Sequence, residues 1–435
     1  MLGRAQKYLF FLIVFFISAQ VGYHFWPQFS YVNGVRIDYL SPILYLLDIL
    51  IAFWIVISLF GKFGIDSGFK VNRTWVILST LFIFDLIWNI FMANSVEAHI
   101  YGLVKLAEFG VFGLFVARKF RADWIPGFVR TLSLSAILSS FLALSQFLAN
   151  GSIGGLLYYL GERTFSSSTI GISTINLNQQ ILRPYGAFAH PNLLAFFLFA
   201  SVIFSSLRLR FEEGLWKYIL IFSMFLSVIG IMLSFSRISI LLVVCFFLYE
   251  IYSKLKSKYR YFGLGLFQIL IPFLAVFAYA NYSAFILRGI DLRQELIIQA
   301  IEIFGKSPYF GIGLNNFFVW QEPLVKTISP INFQPPHNIF IVALLSLGLF
   351  GWWIFPAGLF FAVKSLVQKI KVSSIKYPAS SEFYRSVLIC IIGIIIVGMF
   401  DHFFLTLEQG QIILALILGL SFCSIRINGI NSKIR

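Results

Sequence analysis

His337 stands in Pro335-Pro336-His337-Asn338, immediately ahead of an apolar run. A neutral imidazole held rigidly there is a natural general base near neutral pH. Four arginines at other apolar boundaries offer a complementary chemistry. Arg183 opens Arg183-Pro184-Tyr185-Gly186, Arg237 closes Ser234-Phe235-Ser236-Arg237, and Arg288 and Arg293 flank the start of a helical pattern. The planar guanidinium fork matches phosphate through paired charge-assisted hydrogen bonds, so several on one face suggest a pyrophosphate headgroup. The plain alternative is anchoring by arginines that snorkel to the membrane surface.

A metal site is not expected. The five histidines (His24, His99, His190, His337 and His402) include no pair at helical i, i+4 spacing, and the connecting segments lack an Asp-x-Asp motif. His24 and His99 read as interfacial residues. Asp48, Asp85, Lys105 and Glu108 fall inside apolar runs, where ionisable groups are costly. Lys105 and Glu108 are three apart on one helix and can pair, so structural pairing is favoured over an ion pathway.

The elements that position these groups follow from composition. Of 435 residues, 59% are hydrophobic and only 12% charged, too little charge for a soluble surface. Apolar runs long enough to cross about 30 Å of hydrocarbon recur along the chain. They predict an all-α integral membrane protein of about twelve spans, near 8–26, 40–60, 74–92, 100–117, 127–148, 191–207, 216–234, 238–253, 262–280, 338–363, 384–400 and 409–425. The first lacks a small-residue cleavage site and reads as a retained helix rather than a signal peptide. No separate soluble domain is expected within 1–435.

Most of the 33 Lys and Arg then lie on one side, including the clusters Arg118-Lys119-Arg121, Lys254-Lys256-Lys258-Arg260 and Lys364-Lys369-Lys371-Lys376. That asymmetry puts both termini in the cytoplasm and explains the net charge of +15 without nucleic acid. Cys245, Cys390 and Cys423 sit inside spans, with no paired spacing for a disulfide framework. Two long connections, 149–190 and 281–337, face outward, and long connections are usually functional or disordered. The first reads as flexible around 166–169. The second holds an amphipathic helix from Asp291 to Phe304, apolar at Leu292, Leu296, Ala300 and Phe304 and polar at Glu295, Gln299 and Glu302.

Several motifs resemble one family in order and spacing. They are Arg183-Pro-Tyr-Gly-Ala-Phe-Ala-His190-Pro-Asn192; Ser234-Phe-Ser-Arg237; Arg293 followed by Ser307-Pro308-Tyr-Phe-Gly311-Ile-Gly313-Leu-Asn315-Asn316-Phe317; and Pro336-His337-Asn338 with Leu347-Gly348-Leu349 downstream. Together with Asp401-His402 and Gln409-Gly410, this set resembles the bacterial O-antigen ligase and O-antigen polymerase superfamily. The resemblance implies a helical glycosyltransferase of the C type in the bacterial cytoplasmic membrane, acting at its outer face. It implies a glycan donor on undecaprenyl pyrophosphate and no cofactor. By the same resemblance His337 is the essential histidine of the large loop, and Arg183, Arg237 and Arg293 hold the donor, with Arg288 able to replace Arg293. His190, Asn192 and Asn338 are expected at the substrate, and Asp401 or Glu408 as support for His337. The acceptor would be lipid A–core for a ligase of lipopolysaccharide biosynthesis, or a second lipid-linked repeat for a polymerase. A secondary transporter or lipid flippase is the rival from another class.

Overall fold

A computed structural model describes residues 2–60, 73–177, 179–254, 293–325 and 333–425. The expected span at 262–280, the basic cluster at 256–260 and Arg288 lie outside these residues. What is described is 74% helical, as an apolar chain must be where each backbone polar group needs an internal partner. Five of the described helices are long and apolar enough to cross a membrane: Val96–Lys119, Ala122–Ala149, Pro191–Phe211, Gly214–Leu233 and Pro378–Gly398. A bent pair, Ile339–Trp352 and Ile354–Ser374, raises this to six if it forms one span. Shorter apolar helices run Leu46–Phe60, Ser79–Met92 and Glu408–Phe422.

The Pro191–Arg208 helix is the hub. It is buried on every side, as a helix apolar all round must be. The helices Ile125–Ala149, Gly214–Leu233 and Pro378–Gly398 pack around it. Small residues let backbones close up where apolar side chains bring no net gain over lipid. A Cβ built on Gly419 would lie 2.6 Å from the Gly113 carbonyl oxygen, which is why Val96–Lys119 and Glu408–Phe422 run in intimate contact.

Three expectations need correction. The runs at 8–26 and 40–60 are not helical to their ends, because the first helix stops at Phe16 and the second starts at Leu46. Between them Gly22–His24 pairs antiparallel with Ile43–Tyr45, and Tyr31–Val32 with Val35–Arg36. Asn33 and Gly34 turn the inner hairpin with φ of +48° and +75°. Asn-Gly between strand-forming residues is a strong hairpin signal, and it was masked by the apolar runs on either side.

The segment 166–169 forms a turn in which the Ser166 N–H donates to Thr169 Oγ1 at 2.9 Å. Behind it Thr174–Leu177 pairs with Gln179–Leu182. In the second long connection, the helix over residues 293–306 buries Leu296, Gln299, Ala300 and Ile303 and exposes Ile297, Ile298 and Ile301. Gln299 therefore faces inward, where it accepts from Gln321 Nε2 at 2.7 Å.

The expected span at 338–363 is broken. Gly348 leaves the helical region inside Ile339–Trp352 with φ +59°, and that helix meets Ile354–Ser374 at 86°. Residues 308–313 fill the break. Ile312 N–H donates to Leu345 O (2.8 Å), Gly313 N–H to Ser346 O (3.1 Å), and Leu349 N–H to Pro308 O (2.9 Å). A Cβ on Gly348 would lie 2.4 Å from the Tyr309 backbone, at a φ that side chains resist. Gly348→Ala should therefore destabilise the protein by about 3 kcal/mol or more. Thermal unfolding in detergent should show this, with Gly358→Ala, where a Cβ meets open space, as the neutral control.

Candidate active site

Two buried glutamines shape the segment 183–190. Gln146 Oε1 accepts from the Tyr185 and Gly186 N–H groups at 3.0 and 2.8 Å, while its Nε2 donates to Glu162 Oε1 and Gly186 O at 2.8 Å each. Gln409 Oε1 accepts from Ala189 N–H at 3.1 Å, and its Nε2 donates to Ile17 O and Ala187 O. Gly186 supplies the left-handed φ of +58° that the turn requires. Gln409 entered the sequence analysis only as part of a motif and Gln146 not at all, since their roles come from contacts distant in sequence.

Held this way, Arg183 points into the protein. Its Nε donates to Ser234 O at 2.8 Å and its Nη2 to Asn192 Oδ1 at 2.6 Å. Burial lowers the guanidinium to about 10, with the fields of Arg237 and Arg293 acting in the same sense, so it stays charged at neutral pH. Arg237 and Arg293 act on Arg183 through their fields, and both are exposed. Phe235, at φ +52°, makes the sharp turn that delivers Arg237 to the start of its helix.

Asn192 passes the connection on, its Nδ2 donating to Asp401 Oδ2 at 2.6 Å. Asp401 is the junction. Its Oδ1 accepts from the His402 N–H at 2.8 Å and lies 3.7 Å from His337 Nδ1, and its Oδ2 lies 4.0 Å from His190 Nδ1. Burial alone would raise this carboxyl, but His337 and the fields of His190 and His402 hold it well below the usual range. His337 is half-buried. Its Nδ1 makes no hydrogen bond among the described residues, and its Nε2 lies 3.4 Å from Gln334 Oε1. Asn338 caps the following helix, accepting from Phe340 and Ile341 N–H, which fixes the backbone beside His337.

The structure thus brings together Arg183, His190, Asn192, His337 and Asp401. Asn192 and Asn338 spend their amides on internal hydrogen bonds. Glu408 goes elsewhere: its Oε2 lies 3.2 Å from Lys105 Nζ, which also meets Asp48 at 2.8 Å and Glu108 at 3.1 Å. The helix that Glu408 opens turns its side chain away from the loop bearing Asp401. Asp85 stands apart from this cluster and accepts from Asn89 Nδ2. His99 is structural, accepting at Nδ1 from Leu314 N–H at 2.9 Å.

His402 is the residue the sequence reading left out of the site. Thr406 Oγ1 donates to His402 O at 3.1 Å and lies 2.6 Å from His402 Nδ1. A hydroxyl has one proton to give: donated to His402 O it leaves Nδ1 protonated, and donated to Nδ1 it leaves the ring proton on Nε2. The ring centroids of His337 and His402 are 5.0 Å apart. Burial lowers His402 to about 3 and His190 to about 4 despite Asp401. Both are neutral in the fold and take up protons near 6.5 once unfolded. Stability should therefore fall as pH drops below about 6.5, by up to about 1.4 kcal/mol per unit for each group. Thermal unfolding between pH 7.5 and 5 should show the slope, and His402→Gln should reduce it by about half, leaving the part due to His190.

His337, Asp401 and His402 present ligand atoms within 4.8 Å of one another, a two-histidine, one-carboxylate set that could close on a cation. Against that, both Asp401 oxygens accept hydrogen bonds, His402 Nδ1 faces Thr406, and Arg183 lies beyond Asn192. The second acidic set, Asp48, Glu108 and Glu408, already encloses the Lys105 ammonium.

A cavity of about 2100 Å³ reaches the site at His190, Gln334 and Pro336 and the charge cluster at Lys105 and Glu408. It follows Val96–Lys119 from Tyr101 to Ala117 and Glu408–Phe422 from end to end, roughly 20 Å by helical rise. One end meets His190, Gln334, Pro336, Tyr39, Asp38 and Arg163; the other meets Leu114, Leu359, Leu418 and Phe422. The cavity is polar where the loops close over it and mainly apolar along the helices, interrupted by Lys105 and Glu408 and by Lys364 and Gln368 at the far end.

Residues 222–355 match a family described as O-antigen ligase, a stretch that takes in Arg237, Arg293 and His337. No curated protein matches the chain.

Proposed function

We propose, the chain being a member of the O-antigen ligase/polymerase superfamily through residues 222–355, that it moves a glycan from undecaprenyl pyrophosphate to an acceptor hydroxyl. The reaction takes place at the outer face of the bacterial cytoplasmic membrane. One observation carries this reading: His337 and Arg183 meet through Asp401 and Asn192 beside a cavity with a polar mouth and a mainly apolar helical wall. An amphiphile with a long hydrocarbon chain and a charged headgroup fits that division.

In the mechanism we favour, ionised Asp401 faces His337 Nδ1 and keeps the ring proton there, leaving the Nε2 lone pair for the acceptor. Gln334 Oε1, 3.4 Å from Nε2, can only accept, so it holds the proton on Nε2 until the acceptor hydroxyl displaces it and the ring takes the Nδ1–H tautomer. Nε2 takes the hydroxyl proton as the oxygen attacks the anomeric carbon, and the bond to the pyrophosphate oxygen breaks with its electron pair. Asp401 stabilises the imidazolium that results. The lipid pyrophosphate leaves as a stable anion and needs charge stabilisation rather than an acid, which Arg183, Arg237 and Arg293 supply. A single displacement inverts the anomeric configuration, and no step calls for a metal.

The acceptor we propose is lipid A–core, as in a ligase; a second lipid-linked repeat would make the same chemistry a polymerase. The test is transfer by purified protein from a lipid-pyrophosphate-linked glycan with both acceptors present. Product on lipid A–core supports the ligase, and product on a lipid-linked repeat replaces it with the polymerase. Failure to transfer to either, in protein shown to be folded, would overturn the enzyme reading.

A further inference from the structure

The hairpin region 17–45 lies outside the family match and is not used by the mechanism, yet it forms one wall of the cavity mouth. Gly22–His24 and Ile43–Tyr45 fasten it at its base. Val32, Ile37 and Leu40 bury themselves against Ala98, Phe318 and Phe333. Tyr39 stacks on Phe318 at 5.2 Å and meets the edge of His402 at 5.7 Å, so this wall touches the site directly.

The side chains it presents form a polar array. Asp38 lies between two arginines, with Arg36 Nε at 3.9 Å and Arg163 Nη2 at 3.4 Å. Both contacts are long, and all three side chains are about half exposed. Arg36 is braced from behind by Trp26, its guanidinium 4.4 Å from the ring centroid, and Trp26 in turn stacks on His24 at 5.1 Å. Arg36, Asp38 and Arg163 line the same cavity as His190 and Gln334, as do Thr164, Thr169 and Asn315.

We propose that this array is a saccharide-binding subsite that holds sugar units one or more residues away from the reacting centre. A sugar hydroxyl both donates and accepts, and neighbouring hydroxyls lie about 3 Å apart. A carboxylate that only accepts, flanked by guanidinium groups that only donate, meets both needs of a diol at once. The same carboxylate turns away phosphate and pyrophosphate, which distinguishes this mouth from the arginine group at Arg183. The braced Arg36 loses little freedom on binding, which favours affinity.

The subsite's role in catalysis rests on the proposed transfer, but its binding does not, and the experiment separates the two. The probe is a repeat-unit oligosaccharide released by mild acid from the host's lipid-linked glycan. Saturation-transfer NMR should detect it on the detergent-solubilised protein, with affinity reduced about tenfold in Asp38→Asn and in Arg163→Gln. Equal binding by both variants and the wild type, or displacement by inorganic pyrophosphate alone, would overturn the subsite. In the transfer assay the same variants should raise KM about tenfold for one glycan substrate with kcat nearly kept. The substrate whose KM moves shows whether the mouth holds the donor's sugars or the acceptor's. A fall in kcat with no KM change for either would contradict the proposal. Absence of any transfer by the wild type would count against the proposed function alone, leaving the binding result to stand.

Discussion

Replacing His337 with alanine should lower the single-turnover transfer rate by about 10²–10⁴-fold, the usual contribution of a positioned general base. The fold should survive. His337 is half-buried, its Nδ1 makes no hydrogen bond among the described residues, and its backbone is held independently by Pro336 and by the Asn338 cap. The loss should therefore fall on kcat with donor binding little changed, because the arginines are untouched. His402→Ala is the informative companion. If His402 were the base instead, it would suffer the larger loss and His337→Ala would remain active.

The second large effect is expected at Asp401. Asp401→Asn keeps the side-chain shape and one acceptor for Asn192, but it removes the charge facing His337 Nδ1. Without that charge the imidazole no longer favours the Nδ1-protonated tautomer, and the imidazolium formed during attack is unsupported. Transfer should fall roughly 10²-fold or more, with a stability loss of about 1–2 kcal/mol, since the new amide nitrogen meets the His402 N–H and Arg183 loses the same charge. Asp401→Ala should also destabilise, by about 3 kcal/mol, because it strands the Asn192 amide and deprives buried Arg183 of the nearest negative charge. Equal activity in Asp401→Asn and wild type would remove Asp401 from the mechanism while leaving its structural part intact.

What could be read from sequence divides along physical lines. Apolar runs located most of the described helices because burial of long hydrophobic segments depends on composition and length. The two long connections showed as breaks between apolar runs, and charge asymmetry predicts which side they face. The break at Gly348 was invisible to hydropathy, since it is a backbone event sustained by hydrogen bonds from residues 308–313. The Asn33-Gly34 hairpin had a local signal that averaging over neighbouring apolar stretches erased. Within the site, Arg183, His337 and Asp401 carried their chemistry in their residue types. Their meeting depended on Asn192, Gln146 and Gln409, whose roles come from contacts across tens or hundreds of residues. Glu408 was misassigned as support because nearness in sequence to Asp401 says nothing of which way a new helix turns its first side chain.

The most direct test of the central claim is one single-turnover reaction of the purified wild-type protein in excess EDTA, with the product linkage read by NMR. The account predicts a rate unchanged by the chelator and an anomeric configuration inverted relative to the donor. A rate that collapses in EDTA and returns with a divalent cation would mean that His337, Asp401 and His402 serve as metal ligands. A retained configuration would mean a covalent glycosyl intermediate, and either result would contradict metal-free, single-step transfer.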